Sequence, residues 1–165
     1  MPAKRLPALD TIDVKILAGL QRDGRSTIQS LAQRVGLSAR ACLERVRRLE
    51  AAGIIAGYQA VIELRQLSRP VNVFADIVLE KHANSRRFEK RMCDLDAVVE
   101  CWEVSGTVDY IARIVCPDVA AYEELTSGLI DDATLGVARI ISHVALRPVR
   151  RFAGYPESLL RPKAL

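Results

Sequence analysis

The residues best able to bind another molecule lie on one segment, which is predicted to form a helix from Ser38 to about Ala52. At about 100° per residue, one side of this helix is apolar and is expected to pack on neighbouring helices. The opposite side collects Arg40, Glu44, Arg47 and Arg48, with Ser38 at its start. Arginine can bind a guanine edge or a phosphate through paired hydrogen bonds. The segment therefore has the chemistry needed to read DNA in the major groove.

Several charged residues near this helix are open to more than one interpretation. Glu44 could accept a hydrogen bond from cytosine N4, or it could pair with Arg40 or Arg48 at i,i+4 spacing. Arg45 lies between the two sides, so it is assigned either to phosphate contact or to support within the chain. Further candidates for phosphate contact are Arg25 and Arg34. A solvated amphipathic helix without a ligand would carry a similar run of charge. The elements around the helix must therefore distinguish a solvated helix from one that reads DNA.

Two shorter helices are predicted before this segment. Asp10 can cap the first, and Asp23-Gly24 ends it. Ser26 or Thr27 starts the second, and Gly36 follows it at the position where a left-handed residue commonly ends a helix. Three short helices with a tight turn before a basic third helix are typical of a helix-turn-helix.

The composition changes after the third helix. Residues 54–62 are apolar and β-rich, are interrupted by Gly57, and predict a small hairpin or wing. Residues 63–70 are polar, end in Pro70, and predict a linker between two domains. We therefore expect a winged helix-turn-helix domain over residues 1–62.

The positive charge of the chain is concentrated in that first domain. Residues 1–62 hold 10 Lys and Arg against 5 Asp and Glu, a balance of +5, whereas residues 63–165 hold 14 against 15, a balance of −1. Clustered positive charge favours binding to a polyanion because counterions are released. The distribution points to the first domain as the part that binds nucleic acid.

The second domain, residues 71–150, has a different periodicity. Residues 71–79 alternate with period two, as a strand does, and residues 85–95 have helical spacing. Strands are predicted over 98–105 and 108–116, a helix after Pro117-Asp118, and a last strand over 137–148. The order β-α-β-β-α-β predicts a ferredoxin-like sheet with both helices on one face, and hence an α+β protein. The tail, residues 151–165, is assigned no role.

The second face of this sheet is not fully polar. Two helices on one side are not expected to cover all of Phe74, Val78, Trp102, Val104, Ile111 and Ile114. Large exposed apolar patches usually mark an interface. We therefore expect a homodimer in which the uncovered faces meet about a two-fold axis.

Other classes of protein are disfavoured. The two histidines, His82 and His143, are far apart, and the chain has no G-x-S-x-G, P-loop or H-E-x-x-H motif, so neither an enzyme nor a metal site is expected. No apolar run approaches a membrane span, and no signal peptide is expected. The four cysteines form no C-x-x-C pair and are expected to be reduced, buried thiols in a cytoplasmic protein.

The motifs resemble the Lrp/AsnC family of bacterial and archaeal transcription regulators. In the first domain the similarity is carried by LDTIDVKIL (9–17), DGR (23–25), LAQRVGLS (31–38) and CLERVRRLEAAGIIAGY (42–58). It is especially close to leucine-responsive regulatory proteins over residues 36–58. In the second domain it is carried by VVECWEVSGTVDYIARIVCPDVAAYEEL (98–125) and GVARIISHVAL (136–146).

The resemblance implies that the second domain is the family's RAM module, named for the regulation of amino-acid metabolism. Dimers would form through it and assemble further into tetramers or octamers. A small effector, usually an amino acid, would bind in clefts between dimers, and no other cofactor is implied. Such a protein would act in the cytoplasm, at the nucleoid.

The resemblance also implies an effector site at the turn between the second and third strands, where the family has a Gly-x-x-Asp signature. Here the signature residues are Gly106, Thr107, Val108 and Asp109. Glycine permits close approach of the backbone, turn amides can hold a carboxylate, and Asp109 could accept from an α-ammonium group. Alternatively, Gly106 and Asp109 only shape the hairpin.

The last strand departs from the family pattern, which often has two threonines near the effector. The corresponding residues are Ile140 and Ser142, and only Ser142 keeps a hydroxyl. This departure argues against a standard polar pocket and against leucine as the ligand.

Together these patterns predict a sequence-specific transcription regulator that binds a roughly palindromic site on double-stranded DNA. Its effector would act through the oligomeric second domain. A stand-alone ligand sensor would need a degraded basic face, and Arg40, Arg47 and Arg48 argue against that. An RNA-binding role is possible from the topology of the second domain, but the stacking aromatics that such a role requires are missing from its central strands.

Overall fold

A computed structural model describes residues 9–80 and 85–161 and divides them into two compact units. The first unit comprises the described residues up to Val61 together with those from Arg150 onward. The second comprises Ile62–Val149. His82 lies outside the described residues.

The first unit contains the three predicted helices, α1 (Thr11–Arg22), α2 (Ile28–Val35) and α3 (Ala39–Ala51). Asp10, Thr27 and Ser38 cap them, each accepting a hydrogen bond from a backbone amide of the following turn. Such caps contribute about 1 kcal/mol each. Gly36 ends α2 with φ 73°, in the left-handed region, so the tight turn before α3 forms as predicted.

The three helices share one apolar core. Each helix contributes side chains that are almost fully inaccessible, namely Ile16, Leu31, Cys42 and Leu49. The predicted apolar side of α3 is therefore confirmed. Because the apolar side of α3 is buried in this core, the opposite side of the helix faces outward.

Residues 54–62 were predicted to form a small hairpin or wing, and of these two the hairpin is wrong, because the residues form no strand. The amides of Ile54 and Ile55 instead bond to the Leu49 carbonyl, which ties the start of the segment to the end of α3. Beyond them, Tyr58, Val61 and Ile62 are exposed. A strand needs a partner for its backbone groups, and no strand among the described residues pairs with this segment.

The second unit is a four-stranded antiparallel sheet of β1 (Val71–Leu79), β2 (Val98–Glu103), β3 (Tyr110–Cys116) and β4 (Val137–Val144). The strand order is β2-β3-β1-β4. The helices α4 (Ser85–Asp94) and α5 (Val119–Asp131) follow β1 and β3. A short 3-10 turn, Leu64–Gln66, lies before β1. The predicted ferredoxin-like topology is confirmed.

Both helices cover the same face of this sheet. Phe88 and Met92 of α4, with Tyr122 and Leu129 of α5, pack on the inward residues of the strands. Ile114 also belongs to this core and is fully buried, so its assignment to the uncovered face is wrong. Ile111 and Ile114 are three residues apart, and in a strand that spacing puts them on opposite faces.

The other face of the sheet carries apolar side chains that no helix covers. Trp102 is 65% exposed and Phe74 is 43% exposed. Trp102 of β2 pairs with Ile111 of β3, Ile111 pairs with Asp76 of β1, and Asp76 pairs with Ile141 of β4. These residues therefore lie on the same face of the sheet. We refer to this surface, which contains Phe74, Trp102, Ile111 and Ile141, as the open sheet face.

The cysteines only partly follow the prediction. All four are free thiols, but Cys93 and Cys101 are exposed, whereas Cys42 and Cys116 are buried. In the described parts of the chain, no helix is long and apolar enough to cross a membrane.

The tail packs on the first unit. It contains a short helix, α6 (Glu157–Leu160), whose Leu160 contacts the core of that unit. The Gln21 side chain accepts from the Tyr155 amide at 2.6 Å and donates to the Tyr155 carbonyl at 3.2 Å. These contacts give residues 150–161 a structural part that the sequence did not indicate.

Candidate functional site

The outward side of α3 carries the residues that were predicted to face DNA. The Ser38 hydroxyl accepts from the Ala41 amide at 3.3 Å and is thereby held at the first turn. Arg40 Nε and Glu44 Oε1 lie 3.3 Å apart, with 91% and 66% of the two side chains exposed. An ion pair this exposed contributes little to stability, so both side chains can exchange it for another partner at small cost.

Arg47 is exposed on the same side of α3. Within residues 9–80 and 85–161, no side chain or backbone group bonds to its guanidinium. Its five donors are therefore available to a ligand.

Arg45 and Arg48, in contrast, are both paired within the unit. Arg45 Nη1 lies 2.7 Å from Asp10 Oδ2 and 2.9 Å from Asp13 Oδ1. Arg48 Nη2 lies 2.7 Å from each carboxylate oxygen of Asp13. For Arg45 this geometry favours the interpretation of support within the chain. Contact of either arginine with DNA stays a prediction.

Two carboxylates at the start of α1 therefore meet two guanidinium groups of α3. The Asp13 amide and the Arg45 guanidinium lower the pKa of the Asp10 carboxyl below its ordinary value. The Asp10 and Asp13 carboxylates raise the pKa of Arg45. The four side chains together link the first helix to the third.

Sequence reasoning missed the part played by Asp13. The spacing of Asp10 and Asp13 carried a signal, because a carboxylate three residues after an N-cap commonly completes a capping box, and this box is present. The pattern does not reveal that Asp13 is also buried against two arginines more than thirty residues away.

Arg25 and Arg34 lie outside α3. Arg34 Nη2 donates to the hydroxyls of Ser26 at 2.9 Å and Ser30 at 3.1 Å. Those partners are neutral, so the charge of Arg34 is not compensated by them. Arg25 is exposed, and its backbone amide donates to the Asp23 carboxylate at 3.0 Å.

The predicted effector turn joins β2 to β3. Gly106 has φ 132°, which a residue with a side chain rarely adopts. The Leu79 amide donates to Asp109 Oδ2 at 2.7 Å, and the Asp109 amide donates to the Ile77 carbonyl at 2.9 Å. Asp109 therefore does shape the hairpin, as the alternative interpretation held. A carboxylate accepts at two oxygens, so this role leaves acceptor capacity for a ligand.

Ile140 and Ser142 belong to the neighbouring part of the same sheet. Ile140 pairs with Ile77, the residue that anchors Asp109, and Ser142 is two residues further along β4. The Ser142 hydroxyl lies 2.6 Å from the Tyr122 hydroxyl. Burial raises the pKa of Tyr122 above its ordinary value.

The turn itself is open to solvent. Gly106, Thr107 and Asp109 are exposed, and Val108 is half-buried. The structure thus brings the turn and Ile140 to one end of the sheet, through Ile77, but does not enclose them.

Comparison with known proteins agrees with both units. Residues 9–56 match a winged helix-turn-helix DNA-binding family, and residues 72–154 match the Lrp/AsnC ligand binding domain. The chain is 42% identical over 143 residues to the Bkd operon transcriptional regulator of Pseudomonas aeruginosa, covering 86% of this chain and 93% of that protein. It is 39% identical to the leucine-responsive regulatory protein of Rhizobium meliloti, covering 86% and 92% of the two chains.

Solved structures give the same result. A transcriptional regulator of Neisseria meningitidis in complex with L-Met has a TM-score of 0.82 at 29% identity, covering 93% of this chain and 99% of that one. An AsnC family transcriptional regulator of Agrobacterium tumefaciens has a TM-score of 0.82 at 30% identity, covering 92% and 99%. The chain belongs to the Lrp/AsnC family of DNA-binding transcription regulators, with a winged helix-turn-helix domain and a ligand-binding domain.

Proposed function

We propose that this regulator reads its operator with the outward side of α3 and is controlled by an amino acid bound at the turn between β2 and β3. The observation that carries the DNA-reading part is the exposed guanidinium of Arg47, which has no partner in the part of the chain that the structure describes, beside the weakly held Arg40–Glu44 pair. Arginine bound to guanine and glutamate bound to cytosine are common base contacts.

Three other candidates, Ser38, Arg25 and Arg34, have supporting parts in this proposal, whereas Arg45 and Arg48 are paired with Asp10 and Asp13. The hydroxyl of Ser38 lies at the N-terminus of α3, where backbone amides favour a phosphate. Arg25 and Arg34 contact phosphates on either side. Such contacts fix the register of the protein on DNA without reading sequence.

An amino acid fits the chemistry of the turn. Asp109 would accept from the α-ammonium group, while backbone amides around Gly106 and Thr107 would hold the α-carboxylate. Ile140 would line the side-chain pocket with an apolar surface, and Ser142 would offer a hydroxyl. A relative solved with L-Met supports this class of ligand.

A homo-oligomer supplies what a single chain lacks. Because the turn is exposed in one chain, a second copy would have to close the ligand site. The open sheet face, with Trp102 and Phe74 uncovered, would form the homodimer by meeting its copy about a two-fold axis. Two α3 helices related in this way would read a palindromic site. Such a regulator acts in the cytoplasm, at the nucleoid.

Thermal-shift screening of the full chain against the twenty amino acids tests the effector part. A ligand at a hundred times its Kd stabilises the folded state by about 2.7 kcal/mol, so one amino acid or a small group should raise Tm clearly. Operator binding should then be repeated with that amino acid. No shift with any amino acid would reject this class of effector, while leaving the DNA-reading part to be judged by operator binding.

A further inference from the structure

Asp13 is the one charged or polar residue that is buried in the described residues, with 1% of its surface exposed. Removing an ionised carboxylate from water is costly unless it is paired and hydrogen-bonded. Its oxygens accept from the Asp10 amide at 3.1 Å, from Arg45 Nη1 at 2.9 Å and from Arg48 Nη2 at 2.7 Å. The carboxylate is thus fully engaged, and two of its three partners come from the helix proposed to read DNA.

The two arginines are not themselves buried. Their side chains are 26% exposed for Arg45 and 57% exposed for Arg48. Without the Asp13 carboxylate, Arg48 would be free to turn toward a polyanion, and Arg45 would be held only by the Asp10 carboxylate at 2.7 Å. Phosphate contacts raise affinity for every DNA sequence alike, because they carry no sequence information.

We propose that Asp13 is a specificity-determining residue for operator binding. It holds Arg48 against α1 and, together with Asp10, holds Arg45 there as well. Neither arginine then binds phosphate, and Arg47 makes the decisive contact from α3. Of the four arginines on the helix, Asp13 thereby removes Arg48, and with Asp10 also Arg45, from the sequence-independent part of binding. This inference rests on the proposal that α3 reads DNA.

Asp13→Asn tests the inference, because asparagine has nearly the same shape but no charge. Affinity should be measured by fluorescence anisotropy over a range of salt, for a selected operator and for an unrelated duplex of equal length. On the unrelated duplex, the slope of log K against log salt should steepen by about 0.9 for each released arginine that reaches a phosphate. The ratio of operator to unrelated affinity should fall severalfold. An unchanged slope and ratio in the folded variant would overturn the inference.

Arg48→Gln gives a second test that keeps the buried carboxylate and its bond to Arg45. If Asp13 holds Arg48 away from DNA, this variant should keep the wild-type salt slope, and Asp13→Asn/Arg48→Gln should show a smaller steepening than Asp13→Asn. A slope reduced by about 0.9 in Arg48→Gln, as expected for a lost phosphate contact, would contradict the inference. If circular dichroism shows that Asp13→Asn does not fold, the salt slope of Arg48→Gln alone tests whether Asp13 holds Arg48 away from DNA.

Arg47→Gln is the matched control, since Arg47 neighbours Arg48 on the same helix and has no partner among the described residues. It should lose the preference for the operator. If it binds the operator as well as the wild type does, the proposal that α3 reads DNA fails. If it loses that preference while Asp13→Asn changes nothing, only the inference about Asp13 fails.

Discussion

The two roles of Asp109 can be separated by a pair of substitutions. Its carboxylate accepts from the Leu79 amide at 2.7 Å and so holds the end of β1 against the β2–β3 turn. Asp109→Asn keeps an oxygen that can accept this bond but removes the negative charge. Asp109→Ala removes both.

The hydrogen bond and the charge have different expected effects. Loss of the partner of Leu79 should cost about 1 kcal/mol of folding stability, so Asp109→Ala should melt below the wild type and Asp109→Asn close to it. A hydrogen bond between charged groups is worth about 1.5–3 kcal/mol, and each 1.4 kcal/mol is tenfold in Kd. Both variants should therefore bind the amino acid about 10- to 100-fold more weakly.

Calorimetric titration of the amino acid with the largest thermal shift measures these effects, with Tm recorded on the same samples. Weak ligand binding by Asp109→Asn at near-normal Tm would show that the negative charge of Asp109 binds the α-ammonium group of the ligand. Unaltered ligand affinity in Asp109→Asn would refute that contact and leave Asp109 with the hairpin alone.

Three further predictions concern stability and assembly. Burial, together with a hydrogen bond to the Glu89 carboxylate, raises the pKa of Tyr110 from its ordinary 10.0 to about 12. The protonated hydroxyl therefore contributes fully to folding stability below pH 10, and this contribution is lost as the pH rises to about 12. In urea unfolding, Tyr110→Phe should show a smaller loss of folding stability over this pH range than the wild type. Gly19→Ala would bring a Cβ to 2.8 Å from Leu31 of α2. The free-energy cost of this overpacking, about 1–3 kcal/mol, should exceed the gain in helix propensity of about 1 kcal/mol. The variant should therefore be less stable, and amide hydrogen exchange in α2 should be faster than in the wild type. Trp102→Glu should dissociate the homodimer in sedimentation velocity, whereas Val119→Glu, an exposed change on α5, should not; a dimer that survives Trp102→Glu would exclude the open sheet face.

Much of the fold could be predicted because it depends on local patterns. The cap at Ser38 and the helical recurrence of Cys42, Val46 and Leu49 defined α3 and its outward side. The alternation of Val73, Ala75 and Ile77 defined the inward face of β1. In each case neighbouring residues determine the structure, so one segment carries the whole signal.

The errors arose where structure depends on distant partners. Residues 54–62 have strand composition, but strand pairing requires a second segment, and the described part of the chain pairs none with them. The pairing of Arg45 and Arg48 with Asp13 joins residues that are 32 and 35 positions apart. Burial of a charge there runs against the ordinary preference of aspartate, so composition and spacing could not indicate it.

Selection of binding sites from a pool of random duplexes, with the full chain and with Arg47→Gln, tests the central claim most directly. The account predicts that the wild-type protein enriches an inverted-repeat site, and that Arg47→Gln, folded and equally oligomeric, enriches a different site or none. Enrichment of the same site by both proteins, with equal affinity, would contradict the claim that the outward side of α3 reads the operator.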